Sequence, residues 1–127
     1  MFKSLISLPE VPKMIAFKVI QDINERRKWD QIMKDVTIIE QDPKNLTSVF
    51  AFPIPVPHYI RPREALVRLK TLKNWPDKKS HTIFISSVTR DDFPANPEKV
   101  IRVDLTVSAF VISDDFSGTG CEVTWIV

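Results

Sequence analysis

The chain has 127 residues, of which 43% are hydrophobic and 27% are charged, and its 18 cations and 16 anions leave a formal net charge of +2. This composition is typical of a single globular domain spanning residues 1–127 and excludes a disordered chain. Because the cations are spread along the sequence, we expect no nucleic-acid partner. The one cysteine, Cys121, excludes an internal disulfide and any multi-cysteine metal site.

The opening residues carry no recognisable targeting segment. In MFKSLISLPE the hydrophobic stretch is too short for a secretory signal peptide, and no later run approaches the ~18 apolar residues that span a bilayer. A single unpaired thiol favours a reducing compartment. We therefore expect a cytoplasmic protein.

A helix is predicted near the start of the chain. Ser7 and Glu10 have the spacing of a capping box, and an apolar residue recurs at every fourth position from Ile15 to Ile23. A proline at position 12 is incompatible with a helix interior, so the helix is expected to begin between residues 8 and 12 and to end near Asn24. Residues 25–33 are expected to form a loop or a short helix.

Beyond residue 36 the apolar period changes to two, which predicts strands. The prolines at positions 53, 55 and 57 place their segment at a sheet edge or in an extended exit. One helix followed by an antiparallel meander is an α+β layout. The predicted strands are residues 36–42, 46–57, 64–72, 81–89, 100–113 and 121–127.

The segment 100–113 shows the most regular alternation in the sequence. Such a pattern predicts one strand with a covered face and a solvated face. The polar positions include Arg102 and Asp104, which we expect to form a solvated ion pair of small energetic value. The apolar positions are Ile101, Val103, Leu105, Val107, Ala109 and Val111.

The order of several short motifs resembles the StAR-related lipid transfer domain, known as START. The segment from Asp22 to Asp30 fits the helix-end motif D-x-x-x-R-x-x-W-D, with Arg26 and Trp29 at its inner positions. Ser87 with Val88, a proline-containing loop, Ile101 with Arg102, and Thr124 to Ile126 follow in the family's order. The resemblance covers nearly the whole chain.

One family motif, an R-D pair followed by a second arginine, fits two registers here. Either Arg63 and Glu64 form the pair, which leaves Leu69 at the second arginine's place, or Arg68 is that arginine and Pro62 with Arg63 fills the pair. The preceding strand, SVFAFP, has no carboxylate to pair with that arginine. The polar pair of some sterol-carrying members is therefore not expected.

The resemblance implies a START-like helix-grip fold, in which a curved antiparallel sheet packs around a helix and holds one lipid. It implies non-enzymatic binding and transfer of a phospholipid, sterol or sphingolipid, with no cofactor and with transient, peripheral association with a membrane surface. START domains are longer than this chain. We therefore expect a truncated domain, either part of a longer protein or a chain whose apolar sheet is covered by a second copy or a partner chain.

The alternative function is a regulatory domain of a larger protein, whose apolar sheet face docks another segment instead of a lipid. For the lipid-binding function, burial of an acyl chain or ring system on apolar side chains supplies roughly 25 cal/mol per Å². Each apolar candidate also fits a solid core, and Arg68 also fits an outward salt bridge. The predicted lipid-binding residues are Phe50, Phe52, Arg68, Ile83, Ile85, Val103, Leu105 and Val107.

Other residues of the resemblance are expected to be structural. Trp29 and Asp30 are predicted to anchor the helix end, with the indole in the core and both polar groups bonded locally. The predicted structural motif consists of Arg26, Trp29, Asp30, Arg63 and Arg102.

The segment KNWPDKKSH combines a tryptophan with lysines, which is typical of an anchor on an anionic membrane. A tryptophan packed over a hairpin turn is the alternative. The predicted membrane-contact residues are Lys73, Trp75, Lys78 and Lys79.

No motif predicts an enzyme. His58 and His81 lack the spacing of a zinc pair, and Cys121 lacks the context of an activated nucleophile. The only glycines, Gly118 and Gly120, make no phosphate-binding loop.

Overall fold

The computed structural model describes residues 2–105 and 107–127. These residues form a largely antiparallel sheet with two short helices against one face, as the α+β helix-grip prediction expects. In chain order the elements are β1 (Lys3–Leu8), α1 (Lys13–Gln21), α2 (Ile23–Trp29), a 3₁₀ turn (Gln31–Met33), β2 (Thr37–Asp42), β3 (Thr47–Ile54), β4 (Arg63–Lys73), β5 (Ser80–Ser87), β6 (Ile101–Val103), β7 (Ser108–Asp114) and β8 (Cys121–Ile126).

The strands lie in the order β1-β8-β7-β5-β4-β3-β2, and β6 pairs with β4 outside this path. Neighbours along the path are antiparallel, whereas the β4–β6 pairing is parallel. The sheet therefore brings the first strand against the last one, and β1 and β2 form its edges.

The inner face of the sheet is the face that carries Phe50, Val67, Ile83 and Ile112, and it packs against the helices. All four side chains are fully buried. The helices contribute Phe17 and other apolar residues to the same cluster, because their apolar positions recur at helical spacing. The larger apolar core of the molecule is this contact between helices and sheet.

The opposite, outer face has its own smaller cluster on β3 and β4. Val49 and Leu66 are buried there beneath Val88 and Phe93, which belong to the segment between β5 and β6. Arg102 fastens this segment, since its Nε donates to Glu64 Oε1 at 3.0 Å and its guanidinium lies 5.2 Å from the Phe93 ring centroid. The predicted pairing of Arg102 with Asp104 is therefore wrong.

The start of the chain differs from the prediction. Residues 3–8 form β1, which pairs with β8, so Ser7 lies opposite Glu122 and does not cap a helix. Helix α1 begins only after Pro12. At the predicted helix end, Asp22 accepts a hydrogen bond from the Asn24 backbone N–H at 2.9 Å and starts α2.

The predicted strand 100–113 is two strands that pair with different partners. Residues 104, 105 and 107 lie in neither, and residue 106 is outside the described residues. In β7 the inner face takes Phe110 and Ile112, while Ala109 and Val111 face outward. The predicted face is wrong for β7 because that strand is apolar on both faces, and its larger side chains fill the core.

Replacing Arg102 with alanine is predicted to destabilise the fold by about 2 kcal/mol, because Glu64 would keep a partly buried charge without its partner. Urea unfolding measures the change. The matched control is Arg68→Ala on the exposed outer face of β4, which should change stability by no more than about 0.5 kcal/mol. Equal losses in both variants would contradict the anchoring role of Arg102.

Candidate functional site

The helices leave part of the inner face uncovered, on the side of β7, β8 and β1. The Phe110 and Trp125 rings stack there with centroids 6.1 Å apart, and the Phe2 ring meets Trp125 edge-on at 5.9 Å. Trp125 is 38% exposed, and the neighbouring Ile6 is also exposed. These side chains form an exposed apolar surface. We call this surface the aromatic row and define it as Phe2, Ile6, Phe110 and Trp125.

Arg26 of α2 stands over this row. Its Nε donates to Asp30 Oδ2 at 3.0 Å, and its guanidinium carbon lies 5.6 Å from the Phe110 ring centroid. Asp30 Oδ1 accepts from the Ile32 backbone N–H at 3.0 Å, which fixes the carboxylate. The Arg26 side chain is only 12% exposed, so a cation is held at the border of an apolar surface.

Arg26 Nη1 is buried and has no hydrogen-bond partner among the described residues. The same holds for Thr71 Oγ1 on β4. Thr71 pairs with Ile83, and Ile83 pairs with Phe110, so Thr71 lies on the same cross-strand row of the inner face as Phe110. An apolar surface with a free buried donor fits a ligand that combines a hydrocarbon part with an oxygen acceptor.

The predicted lipid-binding residues fall into three groups. Phe50, Phe52, Ile83 and Ile85 lie on the inner face, but they are packed in the core with the helices, while Val103 is half-buried beside them. Leu105 and Val107 lie outside the sheet, and Val107 is 61% exposed. Arg68 is exposed on the outer face opposite Val49, so its expected position inside a cavity is wrong.

The arginine beside the exposed part of the inner face is therefore Arg26, from the motif Asp22 to Asp30, and not Arg68. Sequence reasoning assigned Arg26 a purely structural role. The sequence signal that could have indicated an ion pair here was the four-residue spacing of Arg26 and Asp30, which places both side chains on one face of a helix.

Residues 1–127 match the START domain family. This chain belongs to the START domain family. No curated protein matches it.

Solved START-type structures share the fold of this START domain. Human STARD10 has a TM-score of 0.77 at 20% identity, with 97% of this chain and 48% of that chain covered. The human StarD13 (DLC2) lipid transfer and protein localization domain has a TM-score of 0.70 at 19% identity, covering 97% and 58%. A STAR-related lipid transfer protein from Xanthomonas axonopodis has a TM-score of 0.70 at 16% identity, covering 96% and 64%. The START domain described here thus spans about half to two thirds of each of these chains.

The indole of Trp29 was expected to fill the core, and this prediction is wrong. It is 52% exposed, and its Nε1 donates to the Val19 carbonyl at 3.4 Å. The expected local partners of Asp30 are present.

Arg63 lies at the start of β4 and donates to the Arg61 carbonyl at 2.8 Å.

The β4–β5 hairpin carries the predicted membrane-contact residues. Trp75 is 47% exposed, and its ring lies 5.7 Å from that of Phe84 on the outer face. Lys73, Lys78 and Lys79 are exposed around it. The hairpin therefore presents half of an indole and three lysine side chains to the surroundings.

His81 supports this hairpin from the inner side. Its Nδ1 accepts from the Asn74 backbone N–H at 3.1 Å, and its ring lies 5.0 Å from Phe17. Burial, followed by the charges of Lys13 and Lys73, holds the pKa of His81 below its ordinary 6.5.

Residues 2–105 and 107–127 lack two kinds of functional feature. These residues contain no helix that is both long and apolar enough to cross a bilayer. They also contain no group of three or more His, Cys, Asp or Glu side chains placed to hold a metal ion.

The lowered pKa of His81 predicts a loss of stability on acidification. In the unfolded chain, His81 takes up a proton below about pH 6.5, whereas in the folded protein it does so only at a lower pH. The free energy of unfolding therefore falls as the pH drops from about 6.5 to the pKa of His81 in the folded protein. Urea midpoints measured between pH 5 and pH 8 should therefore fall more for the wild type than for His81→Gln, whose amide oxygen can still accept from Asn74. The matched control, His58→Gln in the exposed β3–β4 loop, should follow the wild type. If the urea midpoint of His81→Gln depended on pH as strongly as that of the wild type, this assignment would be contradicted.

Proposed function

We propose that this START domain binds one lipid at the aromatic row and transfers it between membranes without chemical change. The observation that carries the proposal is the buried, unpartnered Nη1 of Arg26 beside Phe110. Leaving such a donor unsatisfied costs about 1–3 kcal/mol, and an oxygen acceptor on a bound ligand would remove this cost. The apolar side chains next to it would bury the hydrocarbon part, at roughly 25 cal/mol per Å².

Among the lipid classes expected from the resemblance, the geometry favours one that carries a phosphate. A phosphate offers the unpartnered Arg26 Nη1 an anionic oxygen, which adds charge attraction to the hydrogen bond. A sterol would offer Arg26 a single hydroxyl group. Arg26, and not Arg68, is therefore the residue proposed to hold the polar group of the lipid.

Binding without catalysis is supported by the state of the candidate nucleophile and base. Cys121 is buried, and burial followed by the nearby Asp115 and Asp114 raises the pKa of its thiol. His81 Nδ1 is occupied by the Asn74 N–H, and its ring is packed against Phe17. Neither residue adjoins Arg26, so the proposed site holds a ligand but lacks an activated group.

Transfer requires contact with a membrane, and we assign it to Trp75 with Lys73, Lys78 and Lys79. An exposed indole beside lysines suits the interface of an anionic bilayer. Regulatory docking of another protein segment on the exposed aromatic row remains the alternative function, because Phe2, Ile6 and Trp125 offer it an apolar surface.

Replacing Arg26 with glutamine is expected to weaken phospholipid binding at least about tenfold, because a charged hydrogen bond is worth roughly 1.5–3 kcal/mol. Native mass spectrometry after incubation with phosphatidylcholine vesicles measures the lipid-bound fraction. Lys28→Gln is the matched control, since Lys28 lies on the same helix but is exposed. Circular dichroism checks that both variants are folded. A folded wild-type protein that takes up no phospholipid, sterol or sphingolipid would refute the carrier function and favour the docking alternative.

Replacing Trp75 with serine is expected to lower partitioning onto vesicles of phosphatidylcholine and phosphatidylserine about tenfold, as burial of part of an aromatic side chain is worth roughly 1.4 kcal/mol. Cosedimentation measures the partition constant. Tyr59→Ser is the control, because Tyr59 is exposed in the β3–β4 loop at the other end of the 11-residue strand β4. A loss confined to Tyr59→Ser would place the membrane contact at that other end.

A further inference from the structure

The hairpin between β7 and β8 carries an aromatic residue that the site described above does not use. Phe116 is the most exposed large apolar side chain of the described residues. A single exposed apolar residue needs no explanation, but this one is fully exposed at the tip of a narrow turn. Its surroundings decide whether it has a function.

The turn that presents Phe116 is tightly hydrogen-bonded. Asp115 Oδ1 accepts from the backbone N–H groups of Ser117 and Gly118, both at 3.0 Å, and from that of Gly120 at 3.3 Å. Gly118 has a φ of +78°, which a residue with a side chain rarely adopts. The backbone therefore holds the ring outward on an ordered support.

The Phe116 and Trp75 hairpins lie side by side at one end of the sheet. Ser80 pairs with Ser113, and the Asp114 backbone N–H donates to the Lys79 carbonyl at 3.0 Å. The Trp75 backbone N–H donates to the Ser80 carbonyl at 3.0 Å. Both aromatic side chains are therefore attached to the same pair of strand ends.

A cation links the two hairpins from the helix side. Lys13 Nζ donates to the Lys79 carbonyl at 3.1 Å and to Asp114 Oδ2 at 3.3 Å. This contact pairs Asp114 with a cation. Hydrogen bonds from Ser117 and the rest of its own turn lower the pKa of Asp115, so that carboxylate keeps its charge. The Trp75 hairpin contributes three exposed lysine side chains at the same end of the sheet.

We propose that Phe116 and Trp75 together form a two-point anchor on a lipid bilayer that contains anionic lipids. The inference rests on the membrane contact proposed above and adds to it the second hairpin. A protein partner fits less well, since a stable protein interface buries on the order of 1,000 Å² or more and a narrow tip offers little area. A bilayer interface accommodates separate aromatic side chains, and anionic headgroups attract the adjacent lysines.

Vesicles of phosphatidylcholine with phosphatidylserine test the anchor by cosedimentation of the full chain. Phe116→Ser is expected to lower the partition constant about tenfold, and Phe116→Ser with Trp75→Ser about a hundredfold if the two sites act independently. Phe116→Trp should strengthen partitioning, because an indole favours the interface more than a phenyl ring does. Tyr59→Ser, at the opposite end of β4, is the matched control and should leave it unchanged.

Unchanged partitioning of both Phe116→Ser and Phe116→Trp would overturn the anchor, as would a loss seen only with Tyr59→Ser. Native mass spectrometry of phosphatidylcholine uptake separates this result from the fate of the proposed carrier function. Phe116 lies away from the aromatic row, so Phe116→Ser should keep wild-type lipid uptake while losing membrane partitioning. If the wild-type protein partitions onto vesicles in a Phe116-dependent way but takes up no lipid, the carrier function is refuted and the anchor is supported.

Discussion

The width of the sheet, compared with the length of its helices, determines which part of the molecule is core and which part is open. Seven strands along the main path span roughly 29 Å at about 4.8 Å per step. The helices have nine and seven residues, or roughly 13 Å and 10 Å of length. They bury the inner face around Ile83 and Ile112 but leave Phe110 and Trp125 partly uncovered. The proposed ligand surface is the part of the sheet that the helices leave uncovered.

Arg26 stands at the border between these two regions, which explains how a cation is tolerated there. Asp30 balances the charge, and the Phe110 ring adds about 0.5–2 kcal/mol of cation–π attraction. The Nη1 of Arg26 is left without a partner among the described residues. A protein that only needed a stable core would be served as well by an apolar residue at this position. The unsatisfied donor is therefore the feature of the fold on which the proposed ligand binding depends.

Much of the fold could be predicted because local patterns specify it: β2 to β5 and β8 follow from their two-residue apolar period. Residues 25–33 were expected as a loop or a short helix, and they form most of α2 and the 3₁₀ turn. Strand β1 could not be predicted, since KSLISL is apolar on both faces and becomes a strand only by pairing with β8. The break in 100–113 likewise depends on two distant partners, β4 and β5. The position of Arg68 was missed because a shift of one residue in register exchanges the inner and outer faces.

The most direct test of lipid binding at the aromatic row is photocrosslinking with a phosphatidylcholine that carries a diazirine in one acyl chain. Fragmentation mass spectrometry then assigns each adduct to a residue. Lipid binding at the aromatic row predicts adducts on the inner-face residues Phe110, Trp125 and Ile6, and fewer of these adducts in Arg26→Gln. Adducts confined to outer-face residues such as Leu5 and Val111, or adducts indifferent to Arg26, would contradict it.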